Sequence, residues 1–92
     1  MEQLSKYRVR LNEIDEGLIK LLGDRFEIIR AVGEYKKAED IPMMQSKRVE
    51  EVKDRCATMG LEYDLDPQFV KSIWRLIIDE ACRIEDIIID EA

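Results

Sequence analysis

Charged residues stand in this sequence where the spacing calls for apolar ones. Leu11, Ile14, Leu18, Leu21, Ile29 and Val32 recur in steps that keep them on one face of a helix. Arg25 falls in the middle of that face, and Lys36 follows on it about three turns later, roughly 16 Å along the axis. Leaving a buried cation unpaired costs on the order of several kcal/mol. These two must therefore be paired with a glutamate, snorkel to solvent, or serve a ligand. Further along, Lys47 and Arg48 open a second helical stretch, where the macrodipole disfavours cations. Free N–H groups plus Arg48 make an anion site there. Glu85 shares a helix face with Trp74, Ile78 and Ala81, and a carboxyl buried in that setting favours its neutral form. Arg8 lies off the centre of the Arg25 face and reaches a shared site only from another chain. Cations of this kind around one carboxyl suit a small dicarboxylate, with arginine the natural bidentate partner.

The chemistry such a site can do is bounded by what is missing. There is no histidine among the 92 residues, which disfavours Ser-His, Cys-His and most zinc chemistry. No nucleophile sits beside a base, and no metal-ligand spacing occurs. Catalysis would rest on positioning and on electrostatic stabilisation. A net charge of −6 argues against nucleic acid, whose phosphates need a basic face. Cys56 and Cys82 form no CxxC pair and read as two small buried apolar residues in a reducing compartment. The N-terminal MEQLSKYRVR has no apolar signal core, and no stretch approaches the roughly 20 apolar residues of a membrane span. The expected location is cytoplasmic.

The elements that must hold these residues are three helices in one all-α domain covering 1–92. The first is expected over about 4–38, with a stripe running from Leu4 and Tyr7 to Tyr35. It would be roughly 50 Å long, more than a compact monomer of this size can use, so a second copy is the expected partner. A break is expected over Glu39-Asp40-Ile41-Pro42, where Pro42 pushes Ile41 out of the helical region. A second helix is expected over about 46–59, with Ser46 as N-cap, Gly60 as the residue past its end, and Val49, Val52, Cys56 and Met59 inward. Asp66-Pro67 is a cap followed by proline at the first helical position. The third helix runs from there to about 90, on a stripe of Val70, Ile73, Ile77, Ala81, Ile84 and Ile88.

The stretches RVRLNEIDEGLIKLLGDR (8–25), VGEYK (32–36), IPMMQSKRV (41–49) and LDPQFVKSIWRLIIDEACRIE (65–85) together resemble the AroQ-type, all-helical chorismate mutases over nearly the whole chain. The resemblance implies an intertwined homodimer, with long first helices paired and two identical sites. It implies a cofactor-free Claisen rearrangement of chorismate to prephenate. On this reading Arg8 reaches into the partner's site to bind one substrate carboxylate and Arg25 binds the other. Lys36 donates to the ether oxygen where negative charge develops, and Arg48 holds the ring carboxylate side. Which arginine takes which carboxylate stays open.

The departures from the family pattern bear on chemistry and on substrate. Glu85 stands where many bacterial members carry a glutamine that donates to the ether oxygen, so it must be neutral to help. Gln45 and Val49 stand where many members place an aspartate and a glutamate near the ring hydroxyl, and Val49 can make no hydrogen bond. Ala81 replaces a frequent serine. The Pro42 to Val49 spelling is similar to isochorismate pyruvate lyases and to mutases acting on analogues such as 4-amino-4-deoxychorismate. The expected function is chorismate mutase, with those two as alternatives. A non-catalytic helical dimerisation module is the alternative of another class, although such a module gains nothing from Arg25 and Lys36 on its apolar face.

Overall fold

The computed structural model describes residues 2–42 and 46–90, and these form three α-helices. Helix α1 spans Glu2–Glu39, α2 spans Ser46–Leu61 and α3 spans Pro67–Asp90. Helix α3 packs against both others, while α1 and α2 do not pack on each other. The molecule measures 56 × 26 × 14 Å, and its long axis is the length of α1. Its radius of gyration is 16.7 Å, against about 12 Å for a compact chain of this size.

Both ends of the first connection are set by backbone chemistry. Helix α1 stops because Asp40 adopts the left-handed conformation (φ 56°). The Ile41 amide then donates to the Lys36 carbonyl at 2.9 Å and the Asp40 amide to that of Lys37 at 3.5 Å. These are the paired bonds of a Schellman cap. The break falls within the expected 39–42, and Asp40 is the residue that makes it. Residue 45 and the side chain of Ser46 lie outside the described residues, so the expected Gln45 contact and Ser46 cap do too.

The second connection corrects the sequence reading. Gly60 was expected just past the end of α2, but it is buried within the helix. The left-handed residue is Asp64 (φ 64°), and the Leu65 amide donates to the Gly60 carbonyl at 3.0 Å. Aspartate tolerates this conformation better than most residues. Gly60 serves a different need: a Cβ there would lie 3.0 Å from Val70 Cγ2. Helix α3 then starts as expected. Asp66 accepts the Phe69 amide at 3.0 Å and Pro67 takes the first helical position.

The core is small and lies between α2 and α3. Val52, Cys56 and Val70 are buried, with Trp74 and Ile78 packed on them. Ala57 and Ala81 are buried as well. Met59, expected inward, is about half exposed, as are Phe69 and Ile87 on α3. Residues 2–21 of α1 are exposed on every face, including Leu4, Tyr7, Leu11, Ile14, Leu18 and Leu21. An isolated helical segment of this length is marginal in water without packing. The uncovered stripe is the predicted one, and nothing among the described residues lies on it.

Gly60 supplies a stability test. Alanine gains about 1 kcal/mol in helix propensity, but its methyl meets Val70, which is 2% exposed and β-branched and so cannot turn away easily. Overpacking of this kind costs about 1–3 kcal/mol. Gly60→Ala is expected to lower the free energy of unfolding in urea; a variant as stable as the parent would mean that Val70 can move.

Candidate functional site

The C-terminal half of α1, the first turns of α2 and the middle of α3 enclose a cleft of about 540 Å³, within the range of small-molecule sites. Its floor is α3, which contributes Ile78, Ala81, Cys82 and Glu85. One wall is α1, with Arg25, Ile28, Ile29, Val32 and Lys36; the other is α2, with Arg48, Val49 and Val52. The helical spacing explains the grouping. Arg25, Ile29, Val32 and Lys36 share the face of α1 that meets α3, and Ala81 and Glu85 are one turn apart.

Six of the eight residues singled out in the sequence therefore line one cleft: Arg25, Lys36, Arg48, Val49, Ala81 and Glu85. Gln45 lies outside the described residues. Arg8 does not line the cleft of its own chain. It sits on the uncovered half of α1, roughly 25 Å along the axis from Arg25.

Lys36 and Glu85 meet. Lys36 Nζ donates to Glu85 Oε1 at 2.7 Å, with side chains 17% and 7% exposed. The sequence reading put Glu85 among apolar neighbours and weighed an ion pair with Lys36 against a ligand role. Both surroundings are present, Ala81 and Ile78 on one side and an ammonium on the other. Glu85 is the buried charged residue among those described, and the pairing offsets a desolvation that would otherwise be prohibitive.

Arg25 differs. Its Nη1 is buried and has no hydrogen-bond partner among the described residues, which costs about 1–3 kcal/mol. It borders the cleft, so the missing acceptor is one that a ligand occupying the cleft can provide. Arg48 is exposed at the rim on the first turn of α2, where free amides also point outward.

Cys82 was missed as a site residue. It was read as a buried apolar residue, but it is half buried and lines the cleft beside Ala81, three residues before Glu85. Burial, then the carboxylates of Glu85 and Asp79, push its thiol above the ordinary range. It remains a neutral wall residue rather than a nucleophile. Its one signal in the sequence is that spacing, since a small uncharged residue leaves no anomaly. Elsewhere on α3, Glu80 is engaged by Arg83 through two 2.7 Å bonds. The guanidinium holds its carboxyl below the usual range.

Three cations and one carboxylate line this cleft over an apolar floor, an arrangement suited to a small anion. The chain belongs to the chorismate mutase type II family, whose model matches residues 7–86, and with it to the isomerases. It is 34% identical over 85 residues to a 4-amino-4-deoxychorismate mutase of Streptomyces pristinaespiralis, covering 92% of this chain and 66% of that protein. It is 34% identical over 86 residues to a 4-amino-4-deoxychorismate mutase of Streptomyces venezuelae, covering 94% and 84%. A chorismate mutase of Methanocaldococcus jannaschii is 27% identical over 79 residues, covering 86% and 80%. Among the described residues, no helix is long and apolar enough to cross a membrane.

The unpartnered guanidinium gives a stability prediction. Arg25→Met keeps the packing of the stem and removes the orphaned donor. In the free protein it is expected to raise unfolding stability by about 1 kcal/mol. A loss of that size in urea melts would mean that Arg25 supports the fold itself.

Proposed function

We propose that two copies of this chain build two chorismate mutase sites, each in the cleft between α1 and α2, with Arg8 of one chain completing the site of the other. The single observation that carries the reading is the cleft's charge arrangement: Arg25 with a buried, unsatisfied Nη1, and Lys36 and Arg48 around the same space. In the rearrangement one C–O bond of the substrate breaks and one C–C bond forms, with no proton taken or given by the enzyme. Arg25 and the partner's Arg8 hold the two carboxylates, and Arg48 closes the ring carboxylate side. Lys36 stabilises the negative charge that grows on the ether oxygen, an interaction stronger in the transition state than in the ground state.

Glu85 sets a condition on this chemistry. An ionised Glu85 repels charge on the ether oxygen and competes with it for the protons of Lys36, 2.7 Å away. A neutral Glu85 does neither and can itself donate. Glu85→Gln, which keeps the shape, removes the opposing charge and can donate to the ether oxygen, is expected to raise kcat/KM. A kcat/KM that the substitution leaves unchanged would remove Glu85 from the mechanism.

The uncovered stripe of α1 supports the second copy. Leu18 and Leu21 are 56% and 65% exposed, at the middle of a helix that α3 covers only at its C-terminal half. If each site takes Arg8 from one chain and Arg25 from the other, Arg8→Ala and Arg25→Met chains are each inactive alone. Mixed and reassembled, half the dimers are heterodimers with one intact site of two. About a quarter of the parent activity is then expected. No recovery in the mixture, with subunit exchange verified by mass, would rule out the shared site.

A second reading concerns the substrate. Val49 lines the cleft where the family pattern has an acidic residue, and both Streptomyces relatives act on 4-amino-4-deoxychorismate by name. A wall that cannot hydrogen-bond the ring substituent loses its discrimination between hydroxyl and amine. Incubation with chorismate, isochorismate and 4-amino-4-deoxychorismate separates the readings by kcat/KM. Highest turnover of chorismate is expected; preference for the amino substrate favours the second reading, and pyruvate release from isochorismate a lyase. Inertness towards all three would leave a dimerisation module.

A further inference from the structure

Gly33 is the buried residue of α1. A methyl built on its Cα would lie 3.2 Å from Ile88 Cδ1 and 3.5 Å from both Cα and Cγ of Glu85. The α3 backbone therefore passes within one methyl's contact distance of α1 at the very residue that pairs with Lys36, one turn further along α1. Gly17 and Gly23, on the same helix, meet nothing within 4 Å. The close approach is thus particular to Gly33. A glycine in a helix interior costs about 1 kcal/mol relative to alanine, and here that cost coincides with the contact between the two helices that carry Lys36 and Glu85.

We propose that Gly33 is a positioning residue for the rearrangement: by letting the α3 backbone close on α1, it fixes Glu85 within hydrogen-bond reach of Lys36 in the cleft. This rests on the chorismate mutase reading of that cleft. The physical limits are graded. One methyl at Gly33 stands at ordinary contact from Glu85 and a few tenths of an ångström too close to Ile88 Cδ1, the far end of a flexible side chain. A branched side chain reaches past the methyl towards Glu85 Cα, which is backbone and can yield only if α3 shifts. Such a shift moves Glu85 relative to Lys36, while α2 and Arg48 move with α3, on which α2 packs. Its direct effect falls on the Lys36–Glu85 pair at the breaking bond, and less on carboxylate binding, since Arg25 keeps its place on α1 beside Lys36.

The test is Gly33→Val in the full chain, with folding and assembly checked by circular dichroism and sedimentation. For the folded variant, kcat is expected to fall by about tenfold or more while KM changes by less than about threefold. A kcat within about twofold of the parent overturns the proposal. If Gly33→Val does not fold, Gly33→Ala decides: its kcat is expected to drop by about threefold and to recover when Ile88→Ala is added. An unchanged kcat in Gly33→Ala again overturns the proposal.

A second readout needs no turnover. A double-mutant cycle of Lys36→Met and Glu85→Gln, read by urea melts, measures the coupling of the pair. Coupling present in the parent and weakened in a Gly33→Ala background supports the proposal, and equal coupling in both overturns it. If the parent turns over no substrate, the functional reading fails while this cycle still decides the role of Gly33.

Discussion

A helix of 38 residues cannot bury a continuous apolar stripe against a single helix of 24 that crosses only its C-terminal half. Everything else in this chain follows from that mismatch. The covered half of α1 contributes a close contact at Gly33 and a cleft wall; the other half presents Leu4 to Leu21 to solvent. With five buried hydrophobic residues among those described, the chain falls short of the core that a stable monomer of this length needs. Length, uncovered stripe and thin core point the same way, to burial of this surface against a second chain. The proposed site depends on that assembly as well, since Arg8 lies on the uncovered half.

The cleft is made by what the helices fail to do. Among the described residues, helices α1 and α2 do not pack on each other, so the face of α1 that carries Arg25 and Lys36 borders the same open space as Arg48 and Val49. Closing that gap with apolar contacts would enlarge the core but would leave Arg25 without any acceptor. Keeping it open accepts a smaller core in return for a pocket where cations converge. Lys36 is partly neutralised by Glu85 and Arg25 is not. The cleft is thus cationic inside a protein of net charge −6, a local field opposite in sign to the global one.

Legibility in the sequence followed the strength of the physical signal. The three helices were visible because apolar spacing and the Asp66-Pro67 start are strong local cues, and the ends of α1 and α3 fell within two residues of those expected. The end of α2 was misread because a glycine has two uses, a left-handed turn or a close approach. Only the contact with Val70 distinguishes them, and that contact is tertiary. Aspartates at 40 and 64 took the left-handed positions instead. Arg25, Lys36 and Glu85 stood out as charges on apolar faces. Arg48 drew attention as a cation on a helix's first turn. Val49 and Ala81 were reachable only through the family resemblance, and Cys82 not at all.

The absence of histidine, which first reads as evidence against an enzyme, is consistent with this cleft. Proton transfer needs a group that titrates near the working pH, whereas a rearrangement that moves electrons within one molecule needs fixed charge at the place where charge grows. Arginine and lysine hold their charge across the physiological range, so a site of this kind keeps its field when its surroundings change. Glu85 is the carboxylate set against that fixed field. It is buried, bonded to Lys36 at 2.7 Å, and lies where the α3 backbone comes within a methyl's contact of Gly33 on α1. A glutamine there would keep the geometry and remove the opposing charge. The glutamate instead ties the field of Lys36 to the packing of the two helices at Gly33.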